Sequence, residues 1–315
     1  MARLQLPENF MDKTAPQALL NKRQTSVIFV KYPSKVPWCS DFLFDNLNKY
    51  SQQAIEAIRP TQFGTATEAD ITHFVNIQLL NKINPFLGKR ILLNLKMRSK
   101  VIAGIRGEFG LSALKKWNKY VDIVVVNVDS SLVQKTSTIA KDMIVIGEGV
   151  DPEIFFPGPE KPREFKIAWM GRAHKQFKNA QFLPQLGSPI LKASHDEYIP
   201  HHQVAEMLRE SSVLINMSET EGFCRPILEA AMCGLPVISH DVVIASSLLD
   251  PEFVLAESPR VNLKPYLSLL DYLRDDPDEG WRIGRRNLKR SLNYTWETIV
   301  RQYDDMYEKI GYRYE

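Results

Sequence analysis

Short apolar runs alternate along this chain with stretches of helical period. Residues 27–30 read as a first strand, and residues 31–40 (KYPSKVPWCS) as the proline-rich loop at its carboxyl end. Residues 41–58 predict one helix, with Phe42, Leu43, Leu47, Tyr50, Ala54 and Ile58 along one face. Strands are expected at 71–75, 90–95, 121–128 and 142–146, and helices at 76–83, 111–120 and 130–138. Residues 1–24 are polar with scattered apolar positions and read as a lead-in or a short helix. Strands alternating with helices indicate an α/β protein with parallel sheets. Residues 147–165, with four prolines and three glycines, form a turn-rich connector. A second β/α series then begins: strands at 166–170, 188–193, 213–215 and 235–239, with helices at 181–186 and 201–210. Between the last two strands a helix opens at Pro226, a residue suited to a first turn, and stops at Gly234. Further helices are expected at 263–273, 281–292 and 295–307.

Composition changes this picture little. A chain of 315 residues with 44% hydrophobic and 24% charged positions is long enough for two ordinary globular domains. No apolar run approaches the roughly 20 residues of a membrane-spanning helix, and residues 1–13 lack the apolar core of a signal peptide. Cys39, Cys224 and Cys233 form no CxxC pair, which suits reduced thiols. The expectation is a cytoplasmic protein without a transmembrane segment, peripheral attachment to a membrane being left open. Charge is more informative. The net value of +3 divides into +8 over residues 1–150 and −5 over residues 151–315. From Ile71 to Gly107 there are seven Lys and Arg and no acid, so the first half is expected to meet something anionic; a solvated basic face is the alternative.

The richest chemistry lies between Ser211 and Asp241. Glu221 and Gly222 sit in the loop after a buried strand, and Glu229, eight positions later, lies about one turn into the following helix. A helix amino terminus attracts phosphate through its free N–H groups, and Gly222 lets backbone approach a ligand closely. Glu229 can accept hydrogen bonds from a ribose diol and Glu221 from a sugar, so together they would hold a nucleotide-sugar. The spacing alone fits equally a strand, loop and helix with two solvated glutamates. Gly171 and Arg172 follow a strand directly, with Lys178 beyond. Arginine forks onto phosphate and lysine supplies a point charge, as a diphosphate leaving group requires. Ordinary surface charge is the competing explanation. His73 lies in a strand pattern, as a core or cleft residue. No HExxH, Walker GxxxxGK[ST], GxGxxG or GxSxG sequence occurs.

EGFCRPILEAAMCGLPVI resembles the EGFG…LEAMACGxPVI signature of the retaining GT-B glycosyltransferases of family 4, of the glycogen- and sucrose-synthase type. Glu221 and Glu229 match that family's E-x7-E pair. GVDPEIFFP (149–157) is similar to its GVDxxxFxP element, GRAHKQFKN (171–179) to its GRxxxxKG phosphate motif, and Trp296 with Glu297 to the start of its last helix. The four elements occur in the family's order across residues 149–300.

The resemblance implies two Rossmann-like domains with parallel sheets facing a cleft. These are an acceptor domain at 1–150, a nucleotide-sugar domain at 151–295, and a final helix, 296–315, packing back on the first. It implies that Arg172 and Lys178 bind the diphosphate and that Glu229 holds the ribose and Glu221 the sugar hydroxyls. Glu221, Arg172 and Lys178 would be the catalytic set. Gly171, Gly222, Phe223, Cys224, Arg225 and Ile227 would complete the donor site. No metal and no cofactor beyond the nucleotide-diphosphate sugar are expected. The anomeric configuration would be kept by front-face attack, with the leaving phosphate helping to deprotonate the acceptor. There are departures. Cys224 stands where the family has glycine, and Lys178 falls one residue late, which leaves Lys175 as an alternative counterpart. The usual glycine-rich loop after the first strand is replaced by KYPSKVPWCS. Acceptor-side candidates are Tyr32, His73, Lys96, Arg98 and Lys100. The acceptor is expected to be anionic: a phosphorylated lipid at a membrane, an acidic glycan, or nucleic acid carrying a hydroxylated base. The rival readings are a sugar-nucleotide epimerase or hydrolase of the same fold, and a non-catalytic nucleotide-sugar or nucleic-acid binding protein.

Overall fold

A computed structural model describes residues 25–31, 39–59, 69–82, 93, 95–107, 109–127, 130–160, 162–194 and 199–311. Six strands form the first sheet: β1 (Ser26–Val30), β2 (Ala54–Ile58), β3 (Ile71–Phe74), β4 (Lys100–Ile105), β5 (Ile123–Val126) and β6 (Met143–Val145). All are parallel, in the order β2-β1-β3-β4-β5-β6. The second sheet holds β7 (Ile167–Gly171), β8 (Ile190–Ser194), β9 (Val213–Asn216), β10 (Val237–His240) and β11 (Val254–Leu255), again parallel, in the order β11-β10-β9-β7-β8. Parallel strands need crossovers, and these cover the sheet faces, so central strands such as β3, β7 and β9 are buried on both sides.

Helices α1 (Cys39–Tyr50), α2 (Phe109–Trp117), α3 (Ser130–Ser137), α4 (His201–Arg209), α5 (Arg225–Met232), α6 (Ala245–Leu248), α7 (Lys264–Asp275), α8 (Pro277–Ser291) and α9 (Trp296–Gly311) accompany the strands. Helix α9 does not pack with the second sheet that precedes it. Trp296, Ile299, Val300, Tyr303, Met306, Tyr307 and Ile310 belong to the apolar core of the first sheet. The chain therefore crosses between the halves twice, and the two crossings bond to each other. The Val150 N–H donates to the Tyr294 carbonyl at 2.9 Å and the Trp296 N–H to the Val150 carbonyl at 3.1 Å. Gly149 makes room for this junction, because a Cβ there would stand 2.5 Å from the Trp296 ring.

Two predicted elements are corrected. The helix expected over 41–58 ends at Tyr50, and residues 54–58 are β2, which completes the edge of β1. The break is held from a distance: the Ser51 hydroxyl and the Gln52 N–H both donate to the Asp304 carboxylate of α9, the latter at 2.9 Å. The strand expected at 90–95 is absent where the chain is described: residues 95–98 are helical, and the strand is β4, five residues further on. Gly104 lets β4 lie close to the chain after β3, since a Cβ there would stand 2.2 Å from the Val75 carbonyl oxygen.

Candidate active site

In the second sheet, β7 and β9 are neighbours from which the chain leaves in opposite directions, towards β8 and towards β10. Ligands of open α/β sheets settle outside the carboxyl ends of strands at such a reversal. Gly171-Arg172 leaves the end of β7 there, and the loop 217–224 leaves the end of β9. The two loops are tied together. The Glu219 N–H donates to the Phe177 carbonyl at 2.9 Å, and the buried Asn179 side chain donates to the Met217 carbonyl at 3.0 Å. Asn179 adopts a left-handed conformation (φ 56°) and accepts a 2.7 Å bond from Arg260. Glu219 takes a hydrogen bond from Ser258 at 2.6 Å and an ion pair with Arg260 at 3.0 Å. The Ser258 bond is the largest cause holding its carboxyl below the ordinary range.

On this brace stand two ion pairs. The Lys178 ammonium donates to the Glu221 carboxylate, both side chains being largely shielded from water. The Arg225 guanidinium lies 3.1 Å from the Glu229 carboxylate, one helical turn along α5. Lys175, the alternative counterpart of Lys178, is exposed. Arg172 is half-buried beside Gly171. Phe223, Ile227 and Glu229 are buried. Cys224 caps α5 in a left-handed conformation (φ 67°), and burial pushes its thiol well up from the usual range. The structure thus brings together Lys178, Glu221, Arg225 and Glu229 near the amino end of α5. Among the described residues, no group of three or more His, Cys, Asp or Glu is placed to hold a metal ion.

Gly222 is needed for a different approach from the one expected. A Cβ on it would stand 2.5 Å from the carbonyl oxygen of Arg106, which follows β4 in the first sheet. The Gly222 carbonyl also accepts from the Asn127 side chain, at the end of β5, at 3.2 Å. Arg106 donates to Asn127 at 2.8 Å and to the Tyr303 hydroxyl at 3.3 Å, and lies 3.7 Å from the buried Glu148. The carboxyl ends of both sheets therefore meet across one crevice. Sequence reasoning missed Arg106, Asn127 and Glu148, although Arg106 and Asn127 each directly follow an apolar run.

The acceptor-side candidates fare differently. Tyr32 lies outside the described residues. His73 is a core residue and not a cleft residue: fully buried in β3, its Nδ1 lies 2.7 Å from the Tyr307 hydroxyl and its ring meets Phe29 edge-on at 5.1 Å. Burial, then the nearby Arg106, push its pKa down to about 3. Lys100 begins β4, and Lys96 bonds the Lys119 carbonyl at 2.9 Å and pairs with Asp122 at 3.6 Å, both residues before β5. Lys96, Arg98 and Lys100 therefore sit at the amino ends of the strands, about 17 Å of strand away from the crevice. A run without acids carries no information about which end of a strand it marks. A cavity of about 210 Å³ lined by Ser211, Cys233, Pro236 and Trp281 is likewise at the amino ends, of the second sheet, remote from Lys178 and Glu221.

Residues 195–279 match the family described as Glycosyl transferases group 1, a span that holds Glu221 and Glu229. A phosphatidylinositol N-acetylglucosaminyltransferase component from Arabidopsis thaliana is 24% identical over 201 residues, covering 60% of this chain and 39% of that protein. The Homo sapiens protein of the same name is 26% identical over 115 residues, 36% of this chain and 23% of that one. The chain thus spans well under half the length of these relatives. Sucrose-phosphate synthase from Thermosynechococcus elongatus superposes with a TM-score of 0.71 at 13% identity, over 91% of this chain and 99% of that one. Anabaena HepE in complex with UDP and glucose gives 0.71 at 12% identity, over 91% and 100%. The pneumococcal O-GlcNAc transferase GtfA in complex with UDP and GlcNAc gives 0.61 at 13% identity, over 80% and 59%. The fold is GT-B, two parallel-sheet Rossmann-like halves facing one crevice.

Proposed function

We propose that this chain is a metal-independent, retaining glycosyltransferase of family 4 that moves a sugar from a nucleotide-diphosphate sugar to an acceptor hydroxyl. The observation that carries the reading is the double pairing at the β7–β9 reversal, Lys178 with Glu221 and Arg225 with Glu229, at the amino end of α5. Each carboxylate is held in place by a cation and retains lone pairs for a polyhydroxylated ligand. Glu229 takes the ribose diol and Glu221 the sugar hydroxyls. Lys178 and Arg172 take the diphosphate, whose charge grows as the anomeric C–O bond breaks. The acceptor oxygen bonds to the anomeric carbon on the face the diphosphate leaves, and its proton passes to the departing phosphate oxygen. Backbone N–H groups at the start of α5 add fixed positive potential there.

The structural neighbours bound to UDP and the names of the curated relatives favour a UDP-sugar, with UDP-N-acetylglucosamine the first to try. Those names also favour an anionic phospholipid, phosphatidylinositol, as acceptor. The test is a thermal-shift panel of UDP-, GDP- and ADP-sugars with the wild type and Glu229→Ala, followed by product analysis with phosphatidylinositol vesicles. A ligand at a hundred times its Kd stabilises by about 2.7 kcal/mol. No shift with any donor, or an equal shift in Glu229→Ala, removes the donor-site assignment. Free sugar or an isomerised nucleotide-sugar as sole product replaces transfer by hydrolysis or epimerisation.

A further inference from the structure

The side chain of Arg225 makes a second contact that donor binding does not require. Its guanidinium carbon lies 4.4 Å from the ring centroid of Phe42, which belongs to α1 in the first half. The same ring is stacked against His201, at the start of α4 in the second half, with centroids 4.4 Å apart and planes 20° from parallel. His201 in turn meets Phe155 edge-on at 5.7 Å. One aromatic ring of the first half is thus held by two planar nitrogenous groups of the second. A cation over an aromatic face is attracted by the ring quadrupole, more strongly where water is excluded. Only 18% of the Arg225 side chain is exposed, and its Nε makes no hydrogen bond among the described residues. Burial and the Arg225 charge push the His201 pKa down to about 4, so near neutral pH the imidazole meets the ring uncharged.

We infer that Arg225 is a positioning residue that ties the Glu229 carboxylate to the juxtaposition of the two halves through Phe42. The inference rests on the transferase reading in one respect, the assignment of Glu229 to the ribose. The guanidinium is divided between two partners, a carboxylate 3.1 Å away on its own helix and a ring from the opposite half. Glu229 supplies an anion that fixes its orientation, and Phe42 supplies a contact across the crevice. A ligand hydroxyl that takes over the Glu229 oxygen draws on the group that orients Arg225. Occupancy of the donor site and the grip on Phe42 are therefore linked, and the linkage is reciprocal. Lys178 and Glu221 pair with each other within the second half.

The test uses the full chain and UDP alone as probe, with small-angle scattering of the ligand-free protein and calorimetric titration. Phe42→Leu and Arg225→Met should each increase the radius of gyration. Arg225→Lys, which keeps a cation near both partners, should restore the wild-type value, and Glu221→Gln should leave it unchanged. Phe42→Leu, which would touch no donor atom, should alter UDP affinity about fivefold or more. It should also change the donor KM together with kcat, whereas mere loss of folded protein would lower the apparent kcat and leave KM unchanged. Unchanged scattering and unchanged UDP affinity in Phe42→Leu overturn the inference, as does an equal enlargement in Glu221→Gln. If the wild type binds no UDP, the donor-site reading fails. The scattering comparison then decides the clamp by itself, because it is made without ligand: enlargement in Phe42→Leu and Arg225→Met upholds it, and no enlargement removes it.

Discussion

Gly222 and Arg106 touch across the crevice, backbone to backbone: a Cβ on the glycine would stand 2.5 Å from the arginine's carbonyl oxygen. Backbone cannot swing aside as a flexible side chain can, so Gly222→Ala must push the loop 217–224 away from the first sheet. Overpacking of this kind costs about 1–3 kcal/mol. It should also break the 3.2 Å bond from Asn127 to the Gly222 carbonyl. The expected outcome is a lower Tm and a lower transfer rate. Asn127→Ala loses this bond and the 2.8 Å bond that Asn127 accepts from Arg106, at about 1 kcal/mol each, without any overpacking. Denaturant melts of both variants compare the two costs, and an equal cost would locate the constraint in the hydrogen bonds alone.

The Lys178–Glu221 pair makes a separate prediction. Its members come from different strand-end loops and both are mostly shielded, so removing either leaves the other poorly compensated. Lys178→Met and Glu221→Gln should each destabilise the protein, and the double variant should lose less than the two added together. A coupling energy of about 1–3 kcal/mol is expected from the cycle. In transfer assays Lys178→Met should lose about 10²–10³ in kcat, as when one preorganised charge stabiliser is removed. Lys175→Met, at an exposed position, should stay within about threefold of the wild type in transfer assays; a larger fall would return the phosphate role to Lys175.

Much of this site was legible in the sequence because its determinants are local. The strand, the loop with Glu221, the opening of α5 at Arg225 and Pro226, and the stop at Gly234 (φ 73°) lie within some twenty residues and obey period, cap and turn rules. What escaped was set by partners far along the chain. Residues 54–58 carry apolar spacing that fits a helix or a strand, and the choice fell to the open edge of β1 and to Asp304, some 250 residues away. The basic run before β4 showed its charge but not its place, because only the sheet order tells which strand ends meet the other half. Asn127 and Arg106 carry no motif, and their contacts with Gly222 exist only where the two sheets meet. The need for glycine at 222 was visible, but what it approaches was not.

Cys224 holds a left-handed conformation (φ 67°) at a position where the signature it resembles has glycine, and a side chain there costs about 1–2 kcal/mol of backbone strain. Its burial returns a comparable amount through the apolar surface the thiol covers. Cys224→Gly should therefore change stability by less than about 1 kcal/mol in urea melts. Cys224→Val should lose more than about 2 kcal/mol, because a β-branched residue at positive φ is a steric outlier. The native thiol, buried and with its pKa pushed well up, should resist disulfide exchange reagents until the protein unfolds.

His73 makes the fold sensitive to acid, independently of any ligand. Its folded pKa of about 3 lies below that of an unfolded histidine, about 6.5, because the fully buried imidazole is costly to charge beside Arg106. The native state therefore holds this ring neutral where the unfolded chain takes up a proton. Stability is unaffected above about pH 7, falls as pH drops through 6.5, and stops falling from this source below about pH 3. Between pH 7 and pH 5 the loss from His73 alone should be roughly 2 kcal/mol. His201, lowered to about 4, acts in the same direction and is only partly buried, so it adds a smaller amount. His73→Gln gives up the 2.7 Å bond to Tyr307 and should be less stable at pH 7. Its stability should nevertheless decline less steeply towards pH 5, so that the two proteins converge. Urea melts at both pH values measure the convergence; parallel declines would mean that the ring is hydrated or already charged in the native state.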